Sequence, residues 1–195
     1  MSPCRHVVIV SGTHTHALNL VLKEPELLGI TVVPGAPSYQ DEFVRRDVAD
    51  NKIKDADLAV QMDGLKVYID LNVTGPQQVL VDRASKSVGA MAMAGETTKI
   101  SNLKRHYHVS DAVVRTRFVP FVVEPTGAFG ERARGFMKKV VGRFKVPEGE
   151  EPNEFRSRVA LRYQEQIAAA VQQSVATQAD YFLSACGVPS LHTRR

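Results

Sequence analysis

Apolar and polar positions alternate through residues 57–73, and the alternation is broken once, at Asp63-Gly64. An Asp-Gly pair between two β-rich runs predicts a hairpin with a two-residue turn. Such a turn sets the register: Met62 faces Leu65, Gln61 faces Lys66, Val60 faces Val67 and, counting on, Asp57 faces Asp70. Leu58, Val60, Met62, Leu65, Val67, Ile69, Leu71 and Val73 then share one side and pack into a core. Asp57, Ala59, Lys66, Tyr68, Asp70 and Asn72 share the other. Phe118-Val-Pro-Phe-Val-Val-Glu124 is a near-continuous apolar run and predicts a strand buried on both faces. Ile30–Val33 predicts a brief strand, and Tyr39–Lys54 a loop or a poorly periodic helix. Helical periodicity covers residues 16–28, interrupted near Pro25. It returns over 79–107, with Asp82 as cap and Gly89 and Gly95 splitting the run, and over 129–142 as a basic amphipathic helix. Beyond an acidic turn at Pro147–Pro152, a long helix over 155–185 carries Phe155, Val159, Tyr163, Ile167, Val171, Val175 and Phe182 on one stripe. This order predicts an α/β fold with a mixed central sheet flanked by helices.

A chain of 195 residues can bury a core without staples, so one domain is expected, with its core over about residues 14–142 and a helical extension over about 153–186. Cys4 and Cys186 have no metal-ligand spacing, which argues against a zinc module or a disulfide scaffold. The longest apolar stretches are too short to span a bilayer, and the first residues lack a signal-peptide layout. An intracellular, soluble protein without a membrane partner is therefore expected. The net charge of +4 is mildly basic, and it is unevenly spread. Arg132, Arg134, Lys138, Lys139, Arg143 and Lys145 follow the apolar strand, whereas acids collect before the hairpin. A phosphate backbone crossing a basic rim toward an acidic pocket suits this distribution, as does a solvated helix face.

Opposed carboxylates on a rigid strand pair are costly. Cross-strand Cβ atoms lie about 4.5–5.5 Å apart, and at about 5 Å with an effective dielectric near 20 the repulsion is roughly 3 kcal/mol. A divalent cation held by both residues, or a shared proton, would neutralise it. The competing reading is a solvated hairpin face whose acids meet Lys66 or an arginine.

Lys54-Asp-Ala-Asp57, a spacer of about a dozen residues, and Ile69-Asp70-Leu-Asn72 resemble the restriction-like endonuclease domain of the PD-(D/E)XK superfamily, as found at the C-terminus of site-specific non-LTR retrotransposon proteins. Phe118-Val-Pro-Phe-Val-Val-Glu-Pro-Thr-Gly-Ala-Phe-Gly130 is similar to the segment that follows the active site in those domains. The terminal helix with Arg162-Tyr163 is similar too. The resemblance implies a restriction-endonuclease-like core with an extra long C-terminal helix, and hydrolysis of phosphodiester bonds in DNA rather than RNA. It also implies Mg²⁺ or Mn²⁺ held by Asp57 and Asp70, a nuclear location, and an attached reverse transcriptase or larger assembly. The superfamily's lysine position holds Asn72 here, and Ala56 replaces the usual proline. In the retrotransposon group a lysine comes instead from the following helix, which nominates Lys99 and Lys104. Asn72 would orient a water or a phosphate oxygen, and Glu24 or Glu26 would complete the metal shell. The alternative is a catalytically decayed nuclease serving as a nucleic-acid-binding or structural subunit.

Phosphate contacts are expected from Lys138, Lys139 and Arg143, and from His16 at the head of the first helix, where N–H groups attract anions. His14 with His16, and His106 with His108, are candidate transition-metal pairs, against capping and surface roles.

Overall fold

The computed structural model describes residues 30–33, 37–47, 55–74 and 87–185. The alternating segment folds as its pattern requires. Strands β2 (Leu58–Met62) and β3 (Leu65–Val73) form an antiparallel hairpin in which Met62 pairs with Leu65, Gln61 with Lys66 and Val60 with Val67. Asp63 and Gly64 both take positive φ, 54° and 75°, the conformation whose twist matches that of the flanking strands and which asparagine, aspartate and glycine tolerate. Strand β1 (Thr31–Val32) pairs antiparallel with β2, and β4 (Phe118–Val123) pairs parallel with β3. Among the described residues the sheet is four-stranded and mixed, in the order β1-β2-β3-β4.

A parallel pairing needs a crossover, here formed by helices α1 (Ala90–His106) and α2 (Asp111–Arg117). Helix α3 (Glu131–Gly142) and the 34-residue α4 (Pro152–Ala185) follow β4. Val60, Val67, Ile69, Leu71, Phe121 and Val123 form one core with Phe136 and Val140 of α3 and Ile167 and Val171 of α4. The α4 stripe appears as expected: Phe155, Val159 and Tyr163 are half-buried, and Ile167 and Val171 are buried. Val175 and Phe182 lie outside the described side chains.

The opposite face of the hairpin is also covered, which overturns the solvated-face reading. Ala59, Tyr68 and Phe118 pack against Leu103, Tyr107 and Val114 of the α1–α2 layer, and against Tyr39 and Phe43. Tyr68 and Ala59 are 0% exposed. Lys66 turns away from the acid pair to Asp41, at 3.4 Å. The hairpin is thus the middle of a three-layer sandwich, and groups beside Tyr68 sit under helix α1.

Helix α1 is not split. Gly89 is its N-cap, and Gly95 lies inside it because a Cβ there would come within 2.8 Å of Val122 Cγ1 and 3.0 Å of Thr74 Cγ2. Close approach of α1 to β4 outweighs the roughly 1 kcal/mol propensity cost of a helical glycine. Helix α2 was not anticipated. Its local signal is Ser110, whose hydroxyl accepts a hydrogen bond from the Val113 N–H at 3.3 Å. The helix expected over 16–28 and the cap at Asp82 lie outside the described residues.

Candidate active site

Asp57 sits just before β2, where the ladder with β3 has ended at Leu58 and Ile69. Its carboxylate continues the pairing, accepting the Leu71 N–H at 2.7 Å. The Asp57 carboxylate is near enough to Asp70 for its charge to raise the Asp70 pKa. Asp70 pairs with Pro120 of β4, so it projects from a strand flanked on both sides. Asp57 is exposed, whereas the Asp70 side chain is only 17% exposed.

From α1, Lys99 extends its ammonium to Asp70 Oδ1 at 2.5 Å. The chain therefore has its own partial answer to the carboxylate repulsion, in addition to a divalent cation or a shared proton. Burial pushes the Asp70 pKa up, Lys99 pulls it down and Asp57 pushes it up again, with a net upward shift. Lys99 offsets part of the charge of the carboxylate pair.

Of the two candidate lysines only Lys99 reaches the pair. Lys104, more than a turn further along α1, bonds to Asp111 at the start of α2 and holds that carboxyl below its ordinary range. Asn72 lies two residues beyond Asp70 on the same face, half-buried and paired with Val122. His16, Glu24, Glu26 and His14 lie outside the described residues. His106 ends α1, and the His108 N–H bonds to the Val44 carbonyl at 2.8 Å, so this segment docks against residues 44–46.

The basic helix does not border the acid pair. Lys138 and Lys139 are on α3, which packs on the sheet face carrying Ile69 and Leu71, opposite Asp70. Arg143, just past α3, pairs with Asp63 at the hairpin turn. Five residues separate Leu65 from Asp70 along β3, about 17 Å. Lys138, Lys139 and Arg143 therefore do not adjoin the acid pair: α3 packs on the other face of the sheet, and Arg143 lies at the turn end of the hairpin.

Three functional or supporting residues escaped sequence reasoning. Tyr39 is 4% exposed and packs against Tyr68 with the rings tilted by 47° and their centroids 5.3 Å apart. Burial raises its pKa, and the charges of Asp70 and Asp57 raise it further, so its hydroxyl stays protonated beside the acids. Glu96 accepts the Arg132 and Ala133 N–H groups at 2.9 and 3.1 Å, capping α3 from α1. Gly130 precedes α3 because a Cβ there would collide with the Glu96 carboxylate. Glu124 accepts the Met91 and Ala92 N–H groups at 2.9 and 3.2 Å, capping α1 from the end of β4. Gly89 and Gly130 offer no side-chain cap of their own. Two carboxylates remote in sequence thus meet the positive ends of two helices and tie α1, on which Lys99 rides, to both β4 and α3.

Desolvation raises the Glu96 pKa above its ordinary 4.5, partly offset by the backbone donors. Between the unfolded and folded values the folded chain binds more protons, so stability grows as pH falls. This gain is complete below about 4.5 and is lost as pH rises through the folded value. Relative to Glu96→Gln, which has no proton to take up, the wild-type protein is expected to gain Tm when pH drops from neutral toward the carboxylate range. Parallel Tm–pH curves for the two proteins would contradict this.

No group of three or more His, Cys, Asp or Glu side chains suited to a metal forms among the described residues. The pair itself offers hard carboxylate oxygens, a donor set that fits Mg²⁺ or Mn²⁺ retaining several waters. No protein-family model matches the chain, and no curated protein is significantly similar to it. None of the helices among the described residues is long and apolar enough to cross a membrane.

Proposed function

We propose that this chain is a metal-dependent endonuclease with a restriction-endonuclease-like core, hydrolysing phosphodiester bonds in DNA. The observation that carries the reading is the convergence of Asp57, Asp70 and Lys99. The residue leading into β2, strand β3 and the following helix bring an acid pair and a lysine together, and the lysine comes from the element that the retrotransposon-type resemblance nominates. The mixed sheet with helices on both faces also supports it.

Asp57 and Asp70 would hold the cation, which when bound lowers the pKa of a coordinated water and polarises a phosphoryl oxygen. Leu71 N–H fixes the Asp57 carboxylate, and Lys99 fixes that of Asp70, so both are oriented before substrate arrives. The Lys99 ammonium is a compact charge that can offset the negative charge developing on the phosphate oxygens. Asn72 can donate to a phosphate oxygen from the same face. The aromatic layer of Tyr39, Tyr68 and Phe118 covers one side of the pair and lowers the local dielectric, strengthening each of these interactions.

Calorimetric titration with Mn²⁺ or Mg²⁺, followed by incubation with supercoiled plasmid, tests the reading. Wild-type protein is expected to bind the cation and to nick the plasmid only in its presence. Asp57→Asn is expected to lose nicking and to gain a small rise in Tm in metal-free buffer, no more than about 4 °C. The amide oxygen still accepts from Leu71 while the repulsion with Asp70 disappears. Cation binding without nicking would sink the endonuclease reading in favour of a decayed nuclease fold, and unchanged nicking by Asp57→Asn would remove the site.

A further inference from the structure

The basic residues in the middle of the chain are sorted by the fold into separate places. Lys138 lines a small groove between α3 and α4 with Ala160 and Gln164, and Arg143 is engaged with Asp63. Lys139 stands about 100° further round α3 and enters a different concavity. This is a cleft of about 460 Å³ beside β4, where Arg115 of α2 and Arg132 from the first turn of α3 join it over a floor of Phe118 and Phe136. Glu131 is the carboxylate that shares the lining, so three cations face one anion.

The arrangement is held from behind. Arg132 is fixed at its backbone by Glu96, and its guanidinium reaches the Arg115 carbonyl at 3.5 Å, bringing the two arginines together. Helix α2 runs straight into β4, so Arg115 is anchored by Phe118, which is 2% exposed. Three cations from two helices, 24 positions apart in sequence at their extremes, line one recess. Planar guanidinium groups bind phosphate through paired hydrogen bonds, and lysine adds a point charge.

We infer that this Arg115–Arg132–Lys139 cleft is a binding site for the sugar-phosphate backbone of nucleic acid, at the β4 side of the sheet and separate from the Asp57/Asp70 pair. The choice of duplex DNA as the polyanion rests on the function proposed above; the cleft itself rests on the converging cations. Phosphate contacts of this kind position a strand and carry no sequence code.

Fluorescence anisotropy with a labelled DNA duplex, in EDTA and over a series of salt concentrations, reads binding without cleavage. The triple variant Arg115→Gln/Arg132→Gln/Lys139→Gln is expected to lose affinity for duplexes of every sequence alike. Its plot of log affinity against log salt should flatten by roughly 0.9 per lost contact, about 2.7 in all. Lys138→Gln/Arg143→Gln is expected to keep the wild-type slope. If Arg132→Gln compromises folding by circular dichroism, Arg115→Gln/Lys139→Gln serves instead, with an expected flattening of about 1.8. A wild-type slope in the cleft variants, an equal loss in the Lys138/Arg143 control, no duplex binding by the wild-type protein, or tighter binding of polyglutamate than of DNA would each overturn the inference. Cleft-dependent binding without metal-dependent nicking would reject the nuclease and leave the cleft standing.

Discussion

Asp70→Asn is expected to reduce metal-dependent nicking on the order of a thousandfold, and Lys99→Ala by about a hundred- to a thousandfold, while Lys104→Ala retains nearly full activity. The contrast follows from where each ammonium is held. Lys99 bonds to Asp70, under α1 and over a buried strand, whereas Lys104 is paired with the exposed Asp111. A preoriented charge in a partly water-excluded site stabilises developing negative charge far better than one in solvent. Lys99→Ala also leaves Asp70 without its cation, so activities should be compared well below each variant's Tm, with circular dichroism confirming the fold. Equal losses for Lys99→Ala and Lys104→Ala, or full nicking by Lys99→Ala, would falsify the assignment of the lysine.

Removing the Glu124 carboxylate is expected to be the most damaging single truncation outside the hydrophobic core. Glu124 is 2% exposed and accepts three hydrogen bonds: two from the first turn of α1 and one from the Thr126 hydroxyl at 3.1 Å. Glu124→Ala strands two N–H groups at a helix end that Gly89 cannot cap, at a cost of about 2–4 kcal/mol. For a chain of this length that corresponds to a drop in Tm of roughly 6–12 °C. Glu124→Gln keeps one acceptor oxygen and should fall between the two. Because α1 carries Lys99, nicking by Glu124→Ala should also decline at temperatures where the protein remains folded. A Tm within 2 °C of wild type would show that water satisfies these groups.

What was legible in the sequence is what neighbouring residues decide. The Asp63-Gly64 turn, the pairing of Met62 with Leu65 and the alternation through β2 and β3 follow from a two-residue turn and a side-chain period of two. The proximity of Asp57 and Asp70 follows from the same counting. The apolar run of β4 and the stripe from Phe155 to Val171 on α4 were likewise readable, because burial on both faces or along one stripe leaves a direct trace in composition. Residues before Ile30, including His16, lie outside the described residues.

The remaining features depended on contacts that no local pattern records. That the second face of the hairpin is covered was decided by α1 and α2 crossing it on the way to a parallel β4, and only this made Asp70 a half-buried acid. Lys99 and Lys104 are alike in the sequence; the angle at which α1 crosses β3 gave one to Asp70 and left the other to Asp111. Gly95 reads as a helix breaker until Val122 is placed beside it. Glu96 and Glu124 cap helices whose first residues are more than 30 positions away, and Lys138 and Lys139, adjacent in sequence, were sent to different clefts by the pitch of one helix. The physical reason is common to all of these: turns, alternation and stripes are short-range and written in the chain, whereas the partner of a charged or polar group is fixed only when layers pack.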